Sequence, residues 1–234
     1  MDFKKEAKNL NIDLNEEMIN KFEVYYNELI ETNKYINLTA ITEHDEVYIK
    51  HFFDSLTLVK AIDLSQNISL CDVGSGAGFP SIPLSIVFPN VEVTIIDALN
   101  KRIKFLCEII SKLDLKNTKA YHFRAEEYVK EKRESFDIVT ARAVARLNIL
   151  CELCMPLVKD NGYFIAMKGQ TAEEEISEAN KAIEILGGKI EKIIKFELPN
   201  EAGFREIIMI KKIRRTPLKY PRAYAKIKEK PINV

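Results

Sequence analysis

Ile68-Ser69-Leu70-Cys71-Asp72-Val73-Gly74-Ser75-Gly76-Ala77-Gly78-Phe79-Pro80 is the stretch on which the fold turns. The apolar run from Ile68 to Val73 reads as a buried strand. Glycines at 74, 76 and 78 let the backbone turn sharply and approach a ligand closely. Pro80 then stands at the start of a helix predicted over 81–88. A dinucleotide fingerprint would place its third glycine at position 79. Phe79 occupies that position, so the loop fits NAD poorly.

Outward from this loop the pattern alternates. Strands are predicted at 91–96, 119–123, 136–141 and 163–168, with helices between them at 100–113, 126–132 and 147–158. Thr171 and Glu174 have capping-box spacing ahead of another helix, which Gly187-Gly188 ends. Such βα alternation argues a parallel sheet with helices on both faces. Before it, residues 1–63 read as helical. Asn15 is a predicted cap, and Met18, Phe22, Tyr25 and Leu29 form one apolar stripe. A second helix is expected near 45–62.

Two strand-like runs, 189–198 and 204–213, end the pattern. Only Pro199-Asn200-Glu201-Ala202-Gly203 separates them. No crossover helix fits in five residues, so the two must pair as an antiparallel hairpin. A mostly parallel α/β sheet finished by a hairpin is the layout of class I methyltransferases, seven-stranded and Rossmann-like. The G-x-G-x-G loop after Asp72-Val73 is similar to their motif I, which binds S-adenosylmethionine (SAM). The expected organisation is an N-terminal helical extension (1–63), a SAM-binding domain (64–213) and a basic tail (214–234).

Composition limits the alternatives. The chain has 234 residues, is 47% hydrophobic and 30% charged, and carries zero formal net charge. Long enough to bury a sizeable core, it is expected to be a cytoplasmic protein with no membrane span and no secretory signal. Four cysteines and three scattered histidines do not make a disulfide scaffold or a metal site. Cys151 and Cys154 are expected on one core-facing helix side, with no metal bound. The zero net charge hides an asymmetry. Residues 205–234 hold ten Lys or Arg and two acids, net +8, whereas residues 1–31 hold eight acids and four lysines, net −4. Clustered positive charge is the footprint of a polyanion partner.

Open α/β sheets bind ligands at the carboxyl ends of their strands. Gly74, Gly76 and Gly78 follow the first strand. Asp97 ends the second, where a carboxylate can accept hydrogen bonds from both ribose hydroxyls. Arg124-Ala125-Glu126 follow the third, where adenine recognition would fall. The fourth strand end, Thr140-Ala141-Arg142-Ala143, has no N/D-P-P-Y/F motif for exocyclic amine methylation. It also has no nearby cysteine for attack at pyrimidine C5. A substrate with its own lone pair remains, and guanine N7 is one. Such a group has no proton to remove, so catalysis reduces to positioning and electrostatics. Arg142 can hold the substrate or SAM, or serve only as an ion-pair partner.

Further elements narrow this reading: Asn37-Leu38-Thr39-Ala40-Ile41, His51-Phe52-Phe53-Asp54-Ser55-Leu56, Lys101-Arg102, Lys168-Gly169 and Lys219-Tyr220-Pro221-Arg222. With the glycine loop, Arg124-Ala125-Glu126 and Ala141-Arg142-Ala143, the sequence resembles the small-subunit rRNA guanine-N7 methyltransferase family (RsmG, formerly GidB) over nearly its whole length. Ser81 departs from the family's usual glycine, with little harm expected. The resemblance implies SAM binding at Gly74, Phe79, Ala125, Glu126 and Arg142. It implies methylation of guanosine 527 in the 530 loop of 16S rRNA, with the small ribosomal subunit as partner of a monomeric enzyme. Arg142 and Lys168 are the catalytic candidates, and Arg205, Arg215, Lys219 and Arg222 the RNA-binding ones. His51 and Asp54 read first as a helix-to-core hydrogen-bonding pair. A small-molecule SAM methyltransferase and a non-catalytic rRNA-binding assembly factor are the other readings. Because the cofactor contacts are expected within residues 74–142, the tail is expected to act on RNA alone.

Overall fold

The computed structural model describes residues 2–142, 145–169 and 172–233. Two helices open the chain, α1 (Phe3–Lys8) and α2 (Glu16–Ile36). Asn15 caps α2 as predicted, its side-chain oxygen accepting from the Met18 N–H at 2.8 Å. The stripe buries Phe22, Tyr25 and Leu29. Helix α2 stops at Asn37, which is left-handed with φ 45°, a conformation asparagine tolerates. The next helical stretch is composite. It runs from α3 (His44–Val47) through a π-helical segment (Tyr48–Phe53) and α4 (Asp54–Leu56) into a 3₁₀ turn (Thr57–Lys60).

The sheet has seven strands: β1 (Ser69–Val73), β2 (Glu92–Asp97), β3 (Thr118–His122), β4 (Phe136–Arg142), β5 (Val158–Lys168), β6 (Gly188–Glu197) and β7 (Phe204–Lys212). Their order is β3-β2-β1-β4-β5-β7-β6. The first five are parallel, and β7 runs antiparallel to both β5 and β6. The helices between strands are α5 (Ser81–Val87), α6 (Asn100–Lys112), α7 (Ala125–Lys132), α8 (Leu147–Cys154) and α9 (Ala172–Ile185), and α10 (Tyr224–Glu229) follows the sheet. The order reverses between β1 and β4, which opens a crevice at the carboxyl ends of those strands. The hairpin pairs as expected, and β7 inserts between β5 and β6. Its run Ile207-Ile208-Met209-Ile210 is buried, whereas β6 is largely exposed. An unbroken apolar strand needs both faces covered, so the second arm goes inside and the first takes the edge. Thr171, the expected cap of α9, lies outside the described residues; Glu174 is in the first turn of that helix.

Each sheet face carries one core. Phe3, Phe22, Tyr25 and Phe52 from the N-terminal helices pack in one cluster with Phe79, Ile95 and Leu106. The helical N-terminus, expected as an extension, therefore forms one side of the domain's own core. The opposite cluster contains Val139, Leu150, Cys151, Cys154 and Ile208, together with Tyr220 and Ile227 from the C-terminal segment. Cys151 and Cys154 face this core, and burial pushes both thiols up.

The expected separate tail is corrected by the packing. Arg222, read as an RNA contact, forms a bidentate pair with Glu152 of α8 at 2.8 and 2.6 Å, and its backbone N–H donates to the same carboxylate at 2.9 Å. Lys212, part of the +8 count, is fully buried and donates to the Met155 carbonyl and the Thr216 hydroxyl, both at 2.7 Å. Burial lowers its pKa to about 8. These cations hold the segment down; they do not face a partner.

Arg222→Ala leaves the fully buried Glu152 carboxylate without its cation. Breaking such a pair by removing one partner costs several kcal/mol. A loss of about 3 kcal/mol, the low end for a pair whose arginine keeps some exposure, is expected in urea unfolding. An unchanged midpoint would show that the pair contributes nothing.

Candidate active site

Two clefts open at the carboxyl ends of the strands. The first, about 180 Å³, is lined by Gly74 after β1, Ile96, Asp97 and Ala98 at the end of β2, and Phe123 to Glu126 after β3. Val73, Leu153 and Tyr224 complete it. The second, about 250 Å³, is lined by Ile41, Lys50, His51 and Asp54 from the N-terminal region and by Arg142, Met167, Lys168, Gly169 and Arg205 from the sheet. A larger groove of about 930 Å³ opens on Ser69, Glu92 and Asp137. It lies at the amino ends of the strands, away from where open α/β sheets build their sites.

In the glycine loop Gly76 and Gly78 do different work. Gly76 has φ +63° and open space where a Cβ would stand. Its N–H donates to Asp97 Oδ2 at 3.2 Å. Asp97 also accepts from the Leu99 N–H at 2.8 Å, so its carboxylate ties the loop to the end of β2. Gly78 turns the other way: a Cβ there would come within 2.5 Å of Ile82 and 2.9 Å of Leu106. It is the packing glycine, not a cleft-lining one. Beneath the loop, Asp72 is fully buried. One of its oxygens accepts from the Ser81 hydroxyl, and the other has no partner among the described residues. Burial raises this carboxyl to about 7. Ser81, the departure from the family pattern, thus supplies Asp72 with a hydrogen bond.

The second cleft is organised around Asp54. Its Oδ2 pairs with Arg142 Nη1 at 3.0 Å and its Oδ1 with Arg205 Nε at 3.1 Å. The side chains of Asp54 and Arg142 keep only 6% and 13% exposure, so both charges are largely desolvated. Arg142 Nη2 also lies 3.2 Å from His51 Nδ1. A guanidinium has no lone pair to offer, so Nδ1 accepts and the ring proton sits on Nε2, 2.7 Å from Thr39 Oγ1. The Lys50 carbonyl, 3.1 Å from Nδ1, favours the other tautomer; the permanent charge of the arginine decides. Burial first, then Arg142, lowers His51 to about 3. The His51 ring stacks on Phe79 at 4.5 Å and 18°, and the Arg142 guanidinium lies 5.0 Å from the same ring. Thr39 is itself fixed by Asn33, whose side chain bonds the Leu38 and Thr39 N–H groups.

The expected residues thus divide. Gly74, Asp97, Ala125 and Glu126 meet in the first cleft, with Gly76 bonded to Asp97. Arg142 and Lys168 meet in the second, and Phe79 lies buried under Arg142 and His51. Lys168 donates to the Ala145 carbonyl at 2.6 Å and pairs with Glu175 at 2.6 Å. Arg205, expected as an RNA contact, lines this cleft. Arg215 is 89% exposed, with Glu134 at 3.9 Å, and Lys219 is exposed beside Tyr220. Sequence reasoning left His51 and Asp54 as a structural pair and missed Thr39 and Tyr224. The i, i+3 spacing of His51 and Asp54, which puts both on one helix face, was the available signal. Nothing local marks Tyr224.

This sheet order, with a glycine loop and cleft at its switch point, defines a class I SAM-dependent methyltransferase fold. A SAM-dependent methyltransferase from Aquifex aeolicus shares it at TM-score 0.53 and 18% identity, covering 68% of this chain and 90% of that one. So does a variant of the 16S rRNA (adenine(1408)-N(1))-methyltransferase from Catenulisporales acidiphilia, at TM-score 0.53 and 12% identity, covering 65% and 88%. The family model of rRNA small subunit methyltransferase G, GidB, matches residues 18–203, and the chain belongs to that family. It is 55% identical over 223 residues to the ribosomal RNA small subunit methyltransferase G of Oceanobacillus iheyensis, covering 94% of each chain. To that of Bacillus subtilis it is 54% identical over 213 residues, covering 90% of this chain and 89% of the relative.

Folded His51 stays neutral down to about pH 3, whereas in the unfolded chain it takes up a proton near 6.5. Between these values the unfolded state binds more protons, so this residue makes stability fall as pH drops, by up to ~1.4 kcal/mol per pH unit. Asp72 acts with the opposite sign between 3.8 and about 7. His51→Gln removes only the histidine contribution. Urea midpoints at pH 7 and 4.5 should therefore show a smaller acid loss in the variant than in the parent protein; equal losses would contradict the neutral-histidine geometry.

Proposed function

We propose that this chain transfers the methyl group of SAM to N7 of guanosine 527 in the 530 loop of 16S rRNA, the reaction its family membership implies. The observation that carries the chemistry is the second cleft. It presents Lys50, Arg142, Lys168 and Arg205; both oxygens of Asp54 are engaged by arginine, while Lys168 pairs with Glu175 and Lys50 with Glu46. His51 is neutral, with Nδ1 facing a guanidinium. Among the described residues that line this cleft none is arranged as a general base, and N7 needs none because its lone pair attacks directly. A cation-lined cleft suits a substrate carrying phosphates.

The residues of the first cleft fit SAM. Gly76 leaves open space beside the loop. The unpartnered Asp72 oxygen, buried below, is an acceptor suited to an ammonium group. Asp97 would hold the ribose, with Gly74, Ala125 and Glu126 around the nucleoside. When bound, SAM supplies an electrophilic methyl group. Arg142, lining the second cleft with its guanidinium over the Phe79 ring, would fix the approach of the acceptor base. Lys168 would position the loop after β4 through the Ala145 carbonyl. Arg205 would meet the RNA inside the cleft, and Arg215 and Lys219 outside it. Arg222, occupied by Glu152, is left out of this set.

Incubating labelled SAM with small-subunit particles and mapping the modified base tests this reading. Label at guanine N7 of nucleotide 527 is expected; label elsewhere would assign another target. Under single-turnover conditions the rate should lack the tenfold rise per pH unit of a titrating base between pH 6 and 9. Asp97→Ala removes two charge-assisted hydrogen bonds, each worth roughly 1.5–3 kcal/mol. Calorimetry should show SAM binding weakened at least tenfold, and unchanged affinity would reject Asp97 as the ribose ligand.

A further inference from the structure

Tyr224 comes from the segment after the sheet, yet it lines the first cleft beside Gly74, Asp97 and Ala125. Two anchors fix this position. Arg222, two residues earlier, is clamped on the buried Glu152, and its Nη1 donates to the Lys230 carbonyl at 3.0 Å, so the segment folds around one guanidinium. Tyr220 and Ile227 are buried on either side, in the same core as α8. Tyr224 itself is half-buried and packs against that core. Its neighbours in the cleft, Ile96 and Leu153, are apolar, while Asp97 and Glu126 supply the polar edge. Apolar walls with a polar edge match a purine nucleoside, which has apolar faces and a hydrogen-bonding rim.

We infer that Tyr224 is a further cofactor-binding residue, its ring forming a wall against the adenine of SAM, and that the Arg222–Glu152 clamp positions it. The inference rests on the reading of this cleft as the SAM nucleoside site. It gives the C-terminal segment a part in cofactor binding, which the sequence pattern had reserved for residues 74–142. Base–aromatic contacts are sequence-tolerant and depend on the ring, not on the hydroxyl.

The test is calorimetric SAM binding to the full chain carrying Tyr224→Ala, Tyr224→Phe or Asp97→Ala. Tyr224→Ala should weaken SAM about tenfold, within the range of base stacking on aromatic side chains, and Tyr224→Phe should stay within about twofold. If Asp97→Ala weakens binding but Tyr224→Ala does not, the inference is overturned and the cleft reading stands. If neither changes binding, the cleft reading fails and takes the inference with it. The chain has no tryptophan, so Tyr224→Trp adds a single reporter that does not depend on the alanine variant folding. Its emission should be quenched as SAM saturates the protein; emission indifferent to saturating SAM overturns the inference.

Discussion

The carboxylate of Asp54 lies between two guanidinium groups that both come from later in the chain. Arg142 ends a central parallel strand, Arg205 sits near the start of the antiparallel insert, and Asp54 belongs to the helix ahead of the sheet. Two guanidinium groups held close in a partly desolvated cleft would repel each other by several kcal/mol at the effective dielectric of such sites. The carboxylate between them turns that repulsion into a bridge. Bridges of this kind are poor sources of stability because desolvation consumes the attraction. What they supply is position. The guanidinium of Arg142 is fixed by Asp54 and His51 and lies over Phe79, so its direction in the cleft is set by contacts among three separate segments of the chain.

The sheet was legible because its signals are local. The apolar run before the glycines, the Asn15 cap and the five-residue gap between the last two strands are each readable within about a dozen residues. Class and cofactor followed from the spacing of Gly74, Asp97 and Ala125 along three successive strand ends. What stayed hidden is tertiary. Asp54 and Arg205 are 151 positions apart, and no window shows that they meet. That β7 lies inside β6 follows from the burial each strand needs, which appears only once the helices cover the sheet. His51 looked like one of three scattered histidines, and its partners Thr39, Phe79 and Arg142 come from three separate segments.

Charge counting misled in a specific way. The +8 of residues 205–234 suggested a free basic surface, but formal charge says nothing of where a cation points. Arg205 faces Asp54, Lys212 is buried against carbonyls, and Arg222 is locked on Glu152. What remains exposed on the outside is smaller: Arg214, Arg215 and Lys219, then Lys226, Lys228 and Lys230 on and after α10. Part of the basic character of the segment is internal wiring that attaches it to α8.

The position of β7 also bears on synthesis. A nascent chain presents the glycine loop and the first five strands well before residue 205 emerges. Until then β5 has no antiparallel neighbour, and Asp54 holds at most one arginine. Contacts spanning so much sequence form late because loop closure must precede them. The cleft is therefore completed only after most of the chain has left the tunnel.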